Sequence, residues 1–378
     1  MKKILFVNDE LSMGGVTSVL LNLLNALDYS KYEVDLLILD DNNLDINLIP
    51  KSVNLIKSTS FFDVCDITIS ECYRLGIKKF IKKIMFFILI KTGFINHFIK
   101  KERQKMNLKE YDTEISFKEG ISTIFITNSN VKNKINWIHS DYKVENYSKN
   151  YNRRMKKVFK KINTHVAVSN VANKSFREIF EVDNVITIHN IINVDRIEKL
   201  MNDEIDFSMG DELNLISVGR LHPQKSYDRL LNVCKRLNDD GYKYKLYIIG
   251  DGEQREMLYD LKDKLSLDNI EFLLRKENPF AYVKKADLFV LSSLYEGLPT
   301  VVFESLICKV PVISTKVAGI DEQLKEGYGL IVDNNEEALY KGLKELFDNP
   351  ELIKKYKENL SNYHYDNEKI INEIEEIL

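Results

Sequence analysis

The sequence has 378 residues, of which 44% are apolar and 29% are charged, so it can bury a large core, and its length favours two domains over one. The 54 Lys and Arg nearly balance the 57 Asp and Glu, for a formal net charge of -3. The overall charge therefore gives no electrostatic reason to expect nucleic-acid binding. The four cysteines lack the C-x-x-C spacing and nearby His pair of zinc sites, so we expect reduced packing residues.

The N-terminus predicts a buried first strand. The apolar run from Ile4 to Val7 is too short for a signal peptide, and polar residues follow it. Gly14 and Gly15 come next and precede a helical pattern, so these glycines lie where the backbone turns tightly or approaches a ligand. Both interpretations fit the pattern equally well. The protein is expected to be cytoplasmic.

Short apolar runs recur along the chain between longer helical patterns. Continuous rather than alternating apolar strands are typical of a sheet that is buried on both faces, so the sequence predicts an α/β protein with parallel sheets. The predicted strands lie at residues 4–7, 34–39, 135–138, 165–168, 185–188, 213–218, 246–249, 288–291 and 312–314. This alternation pauses in a polar stretch near Met209 to Asp211, which predicts domains at 1–190 and 213–362 joined by a hinge at 191–212.

Residues 74–105 depart from that pattern because they carry ten basic residues and one acid around a strongly apolar middle. The run from Ile84 to Ile90 is entirely apolar, yet it is far shorter than the roughly 20 residues that span a bilayer. An apolar stripe with basic flanks is typical of a helix that lies in the interface of an anionic leaflet. A buried helix with solvated lysines at its ends is the alternative.

Two cations follow the strand that ends near Val218. Arg220 and Lys225 are five residues apart in a loop that opens a helix, so both can converge on one anion at the carboxyl end of the strand. A diphosphate suits that position, although surface cations in a loop would give the same pattern.

A second strand, loop and helix start follow at residues 286–306. Glu296 lies in the loop and Glu304 lies eight residues later, inside the predicted helix. Gly297 permits an unusual turn, and Pro299 is expected to set the first helical turn, whose free N–H groups favour an anion. Two carboxylates on either side of a phosphate-binding helix start could grip hydroxyls at both ends of a sugar diphosphate.

The Glu-x7-Glu spacing within Glu296-Gly297-Leu298-Pro299-Thr300 to Glu304, preceded by Gly219-Arg220 and Lys225, closely resembles family 4 of the retaining glycosyltransferases. The resemblance covers nearly the whole chain and includes Gly14-Gly15, Trp137 to Asp141 and Gly250 to Glu253. It implies a GT-B fold, in which two Rossmann-like domains face each other across a cleft, with a final helix in 363–378 crossing back to the N-terminal domain.

The resemblance also implies roles for individual residues. Arg220 and Lys225 would neutralise the donor diphosphate, Glu304 would hold the ribose hydroxyls and Glu296 the donor sugar. His139 matches the histidine that faces the cleft and contacts the reacting sugar. Further substrate contacts are expected from Gly14, Gly15 and Gly219 and from backbone amides between Gly297 and Thr300, a segment that contains Leu298 and Pro299.

No Asp-x-Asp pair of the kind that holds a divalent ion is found in the sequence, so we expect neither metal nor cofactor. Leu274 stands where the family commonly has glycine before its base-contacting loop, which leaves nucleobase contacts open. The resemblance implies a nucleotide-diphosphate sugar donor, UDP by prevalence, and a hexosyl or N-acetylhexosaminyl transfer. The acceptor is expected to be a lipid-linked glycan at the inner membrane surface, in capsule or lipopolysaccharide synthesis. A nucleotide-sugar epimerase and a catalytically silent scaffold subunit are the alternatives.

Overall fold

The computed structural model describes residues 1–11, 14–41, 45–144, 148–325 and 327–378. The chain divides into two compact units. The first comprises Met1–Ile191 together with Asn367–Leu378, and the second comprises Ile192–Asp366.

The first unit is built on a parallel seven-stranded sheet in the order β3-β2-β1-β4-β5-β6-β7. Its strands are β1 (Lys2–Asn8), β2 (Tyr32–Ile38), β3 (Asn54–Ile56), β4 (Thr113–Ser116), β5 (Asn133–Ile138), β6 (Thr164–Ala167) and β7 (Val185–Thr187). Its helices are α1 (Gly15–Ala26), α2 (Ile69–Arg74), α3 (Ile77–Thr92), α4 (Ile95–Lys105), α5 (Ile121–Ile126), α6 (Lys149–Phe159) and α7 (Asn170–Phe180), and the C-terminal helix α16 (Asn367–Ile377) joins them.

The strand order assigns the helices of the first unit to two layers. The chain moves one way along the sheet from β1 to β3 and the other way from β3 to β7, and parallel crossovers are right-handed. The connections that hold α2 to α7 therefore lie on one face of the sheet, and α1 lies on the other. One continuous buried cluster joins Phe86 of α3, Phe125 of α5, Phe159 of α6 and Phe176 of α7, which shows that these helices share a core.

The C-terminal helix α16 is held to the first unit at the sheet edge where β4 and β5 begin. The Thr113 hydroxyl donates to the Leu378 carbonyl over 2.8 Å, and the Asn133 amide donates to the Ile377 carbonyl over 3.0 Å. An ion pair of 2.8 Å between Lys31 and Glu375 lies nearer solvent.

The second unit has a parallel six-stranded sheet in the order β10-β9-β8-β11-β12-β13. Its strands are β8 (Leu213–Val218), β9 (Tyr244–Ile249), β10 (Ile270–Leu274), β11 (Leu288–Leu291), β12 (Val312–Thr315) and β13 (Gly329–Val332). Its helices are α8 (Val194–Leu200), α9 (Tyr227–Asp239), α10 (Arg255–Lys264), α11 (Phe280–Val283), α12 (Thr300–Ile307), α13 (Ile320–Gln323), α14 (Glu336–Asp348) and α15 (Pro350–Asn359).

The predicted α/β class with parallel sheets is confirmed, and each predicted apolar run lies in or overlaps a strand. The strands β3, β4, β10 and β13 were not predicted. Strands β3, β10 and β13 are short and partly exposed, whereas β4 is buried but has a largely polar sequence, Thr-Glu-Ile-Ser. The polar stretch assigned to the hinge contains helix α8. Residues 74–105 form the end of α2 and all of α3 and α4 rather than one helix.

Candidate functional site

The candidate site of the second unit lies at the point where its strand order reverses. The chain leaves β8 towards β9 and leaves β11 towards β12, in opposite directions along the sheet. The loops after β8 and β11 therefore lie side by side at the carboxyl edge, where ligands bind in open α/β sheets. The Leu294 amide donates to the Gln224 carbonyl over 2.8 Å, and the Ser292 hydroxyl donates to the Lys225 carbonyl over 2.8 Å.

These two loops bring the predicted residues Lys225 and Glu296 into direct contact. The Lys225 ammonium donates to Glu296 Oε1 over 2.6 Å, and both side chains are largely buried. The Ser293 hydroxyl donates to the same oxygen over 2.7 Å, while the side-chain amide of Gln224 donates to Glu296 Oε2 over 3.2 Å. Ser293 and Gln224 were not predicted. Their role depends on which loops the strand order places together.

Two glycines make room for this arrangement. A Cβ on Gly219 would lie 2.9 Å from the Tyr227 hydroxyl oxygen and 3.2 Å from Lys225 Cε. A side chain at Gly219 would thus push the lysine away from the strand end. A Cβ on Gly250 would lie 1.9 Å from the Gly219 carbonyl oxygen, and its φ of 156° also favours glycine. The exposed side chain of Arg220 follows Gly219 at the same edge.

The loop after β11 ends at the N-terminus of α12. Pro299 is the N-cap and the first helical residue is Thr300, so the proline lies immediately before the first helical turn. Proline also has no N–H, so the segment offers amide donors at Gly297, Leu298 and Thr300 but not at Pro299. No side chain caps α12 among the described residues. The Gln323 amide fixes the turn by donating to the Pro299 carbonyl over 2.9 Å.

Glu304 lies within α12, one turn beyond its start, and is partly buried. Burial raises the pKa of its carboxyl to about 7, and the positive charges of Arg196 and Lys225 oppose that rise. The carboxyl therefore titrates near neutral pH. Arg196, on α8, was not predicted because it lies in the segment assigned to the hinge.

The first unit has a matching reversal of strand order between β1 and β4. The predicted Gly14 and Gly15 follow β1, and Gly15 begins α1 with Gly14 as the N-cap. Gly14 adopts extended backbone, and a Cβ on Gly15 would meet no atom of the described residues within 4 Å. Backbone geometry alone thus does not require glycine at Gly15. Open space at the helix start is consistent with the predicted approach of a ligand.

His139 follows β5 at the same edge and its tautomer is fixed by the fold. His139 Nε2 lies 2.8 Å from the Phe117 carbonyl oxygen, which can only accept, so Nε2 carries the proton. The His139 amide donates to Glu119 Oε1 over 3.1 Å. Burial lowers the pKa of the imidazole to about 4, with the Phe117 hydrogen bond opposing the shift. The ring is neutral at physiological pH, and Nδ1 is a hydrogen-bond acceptor.

A charged cluster beside His139 escaped sequence analysis. Asp9 is 5% exposed and accepts from the Ser122 amide over 2.7 Å. Burial raises the pKa of Asp9 to about 6, although the nearby Lys118 opposes the rise. Lys118 also pairs with Asp66 at 3.3 Å and Glu10 at 3.5 Å. These residues come from three separate loops, and only the strand order could have grouped them.

Leu274 adopts φ of 54° at the end of β10, a left-handed conformation that favours glycine. The position thus has the backbone that a glycine would adopt freely, although this chain has leucine there.

Within the described ranges, no group of three or more His, Cys, Asp or Glu side chains is arranged to hold a metal ion. None of the helices in the same ranges is long and apolar enough to cross a membrane.

The family model of the glycosyl transferases group 1 matches residues 199–363, which lie within the second unit. The chain is 29% identical over its whole length, and the whole length of the relative, to an uncharacterized glycosyltransferase of Haemophilus influenzae. Among solved structures, Anabaena Alr3699/HepE in complex with UDP superposes with a TM-score of 0.72 at 15% identity, covering 100% of this chain and 99% of that one. The fold is therefore GT-B.

Two partial relatives carry more specific names. The N-acetylgalactosamine-N,N'-diacetylbacillosaminyl-diphospho-undecaprenol 4-alpha-N-acetylgalactosaminyltransferase of Campylobacter jejuni is 31% identical over 45% of this chain and 46% of its own length. The O-antigen biosynthesis glycosyltransferase WbnH of Escherichia coli is 32% identical over 44% of this chain and 45% of its own length. The chain thus matches less than half the length of these two relatives.

Proposed function

We propose that this chain is a glycosyltransferase of group 1 and that it moves a sugar from a nucleotide diphosphate to a lipid-linked glycan in surface polysaccharide synthesis. The Lys225–Glu296 pair carries this proposal. A cation and a carboxylate that share one hydrogen bond stand at the strand-order reversal, beside the uncapped start of α12. That grouping offers positive charge to a diphosphate and an acceptor to sugar hydroxyls.

The reaction breaks the bond between the anomeric carbon and the diphosphate oxygen and forms a bond from that carbon to the acceptor oxygen. Negative charge grows on the departing diphosphate, where Arg220, Lys225 and the amides of Gly297 and Thr300 would stabilise it without a metal ion. Preorganised donors of this kind are worth about 2.7–4 kcal/mol each in the transition state. Glu296 would hold the donor sugar and Glu304 the ribose hydroxyls.

We infer retention of the anomeric configuration, with attack on the face from which the diphosphate departs. The acceptor proton would pass to the departing phosphate oxygen, so the step needs no separate protein base. In the first unit, the neutral His139 would accept a hydrogen bond from a sugar hydroxyl through Nδ1, since Nε2 donates to Phe117. The imidazole would then orient the sugar without taking its proton.

The choice of donor and acceptor rests on the relatives. HepE was crystallised with UDP, which favours a UDP-sugar here, and hexosyl or N-acetylhexosaminyl transfer is the class that we propose. The name of the Campylobacter relative contains diphospho-undecaprenol, which favours a polyprenyl-linked acceptor. Such an acceptor is confined to a membrane, so we place the protein peripherally on the inner face of the cell membrane.

A thermal-shift screen tests the donor site. Purified wild-type protein is screened without added metal against UDP-, GDP-, ADP- and dTDP-sugars. The variants Arg220→Ala and Lys225→Ala and the control Lys235→Ala are screened in the same way. Lys235 pairs with Asp239 on the exposed side of α9 and should not matter. A selective shift that persists in the control and is lost in the first two variants would support the site. No shift with any donor would refute it and would favour a scaffold subunit.

A further inference from the structure

Helix α3 exposes an apolar stripe that the described residues of the first unit do not cover. Ile77, Ile81, Met85 and Ile88 are 62%, 52%, 58% and 51% exposed. Their spacing of four, four and three residues places them on one face of the helix. Single exposed apolar residues are ordinary, but a continuous stripe of four indicates a surface that binds something apolar.

The opposite side of α3 shows that this orientation is specified. Phe86 is buried against the unit's core. Lys82 points inward and pairs with Asp63 at 2.5 Å, and Lys83 donates to the Val64 and Cys65 carbonyls over 2.8 and 3.2 Å. Two lysines thus anchor the helix to the protein while four apolar side chains face solvent. Rotation of α3 to bury that stripe would break these contacts.

The exposed stripe has cations at both margins. Lys78 is exposed beside Ile77 and Ile81. Lys91 is exposed near the end of the helix, with its ammonium 4.5 Å from the centre of the Phe87 ring. Apolar side chains flanked by lysines match the boundary of a bilayer, where acyl chains lie beneath anionic headgroups.

Helix α6 adds a separate basic stripe to the same layer. Lys149, Arg153 and Lys157 are exposed at intervals of four residues, and Lys160 and Lys161 continue the stripe past the helix end. Met155 and Phe159 bury the other side of α6 in the core that also holds Phe86 of α3. Because α3 and α6 cover the same face of the sheet, their exposed sides face outward from a common layer.

We propose that the outer surface of this helix layer docks on an anionic phospholipid bilayer. The α3 stripe inserts among the acyl chains, and the α6 stripe lies over the headgroups. The inference rests on the proposed function in one respect, since a lipid-linked acceptor gives the docking its purpose. The surface itself is defined by the exposed residues of the first unit alone.

Vesicle binding tests the apolar part of this surface. Full-length protein is sedimented with vesicles of phosphatidylglycerol and phosphatidylcholine, and with phosphatidylcholine alone. Ile81→Asn with Met85→Gln should weaken binding to the anionic vesicles by about tenfold or more, because two inserting side chains are lost. Met257→Gln is the matched control, since Met257 is 41% exposed on α10 in the other unit.

Salt dependence tests the basic part. Arg153→Gln with Lys157→Gln should weaken binding to anionic vesicles by about fivefold for each cation and should reduce the salt dependence. Lys264→Gln, an exposed lysine at the end of α10, should change neither. Thermal melting of each variant confirms that it is folded.

The outcomes separate this inference from the proposed function. If wild type binds neither vesicle type, or if both double variants bind as wild type does, the docking surface is refuted. Binding that ignores phosphatidylglycerol would also overturn it. A donor-induced thermal shift in the same preparations reports on the second unit independently, so a failure to bind vesicles leaves that result standing.

Discussion

Lys225→Ala is the perturbation that most sharply separates catalysis from folding at the candidate site. In wild type the ammonium lies 2.6 Å from Glu296 Oε1, with side-chain exposures of 17% and 10%. Its removal takes away one preorganised cation for the departing diphosphate, which should lower kcat by about a hundred- to thousandfold, or roughly 2.7–4 kcal/mol.

The same substitution also leaves the Glu296 carboxylate without its cation. A fully buried unpaired charge costs about 3–5 kcal/mol. Ser293 and Gln224 still donate to this carboxylate, so we expect a smaller loss of about 1–3 kcal/mol in unfolding free energy. The double variant Lys225→Ala with Glu296→Gln removes the uncompensated charge and should recover most of that stability.

The assay pairs urea unfolding with release of the nucleotide diphosphate from the donor found by the thermal-shift screen. The double variant should regain stability but remain at least as slow as Lys225→Ala, because neither the cation nor the carboxylate is restored. Lys235→Ala should leave both measurements near wild type. Recovery of turnover in the double variant would refute the reasoning, since Lys225 would then act only by stabilising the fold.

Three further predictions follow from groups in unusual environments. Glu304 has a pKa of about 7, so donor affinity measured by calorimetry should weaken about tenfold from pH 8 to pH 6 as the carboxylate is protonated, whereas Glu304→Gln should show no such step. The pKa of Asp9 is raised from 3.8 to about 6, so ionisation of Asp9 destabilises the fold progressively as pH rises from 3.8 to 6. Above pH 6, Asp9→Asn should therefore have a free energy of urea unfolding roughly 2–3 kcal/mol higher than that of wild type. Near pH 4 the two proteins should be equally stable. Leu274→Ile should lower the free energy of urea unfolding by about 1–2 kcal/mol more than Leu273→Ile does, because a β-branched residue at φ of 54° is strained. Equal losses in the two variants would contradict the strain argument.

The sequence predicted more of the fold than of the side-chain contacts. Apolar runs located most of the central strands because strands buried on both faces lack alternation, but they missed the central strand β4, whose sequence Thr-Glu-Ile-Ser is largely polar although buried. The Glu-x7-Glu spacing located α12 with Glu304 inside it. The contact between Lys225 and Glu296 could not be predicted, since it depends on which two loops the strand order brings together. Asp9 was missed for the same reason, because its partners follow β3 and β4.

Helix α3 shows a different limit of sequence reasoning. Its lysines and apolar residues occur around the whole circumference, so the pattern could not tell which lysines face inward. The structure shows that Lys82 and Lys83 bind the protein while Ile81 and Met85 face solvent. A sequence pattern can show which face of a helix is buried only when apolar and charged residues lie on different faces. In α3 the two residue types are mixed.

Transfer of a labelled sugar from the nucleotide donor to membrane lipid tests the central claim most directly. Wild-type protein is incubated with the donor identified by thermal shift, a chelator and membranes that contain polyprenyl-linked glycans, and the organic-soluble fraction is counted. The account predicts label in the lipid fraction with wild type and Lys235→Ala, and at least a hundredfold less with Lys225→Ala. Label that stays with the nucleotide, or appears only as free sugar, would contradict the account.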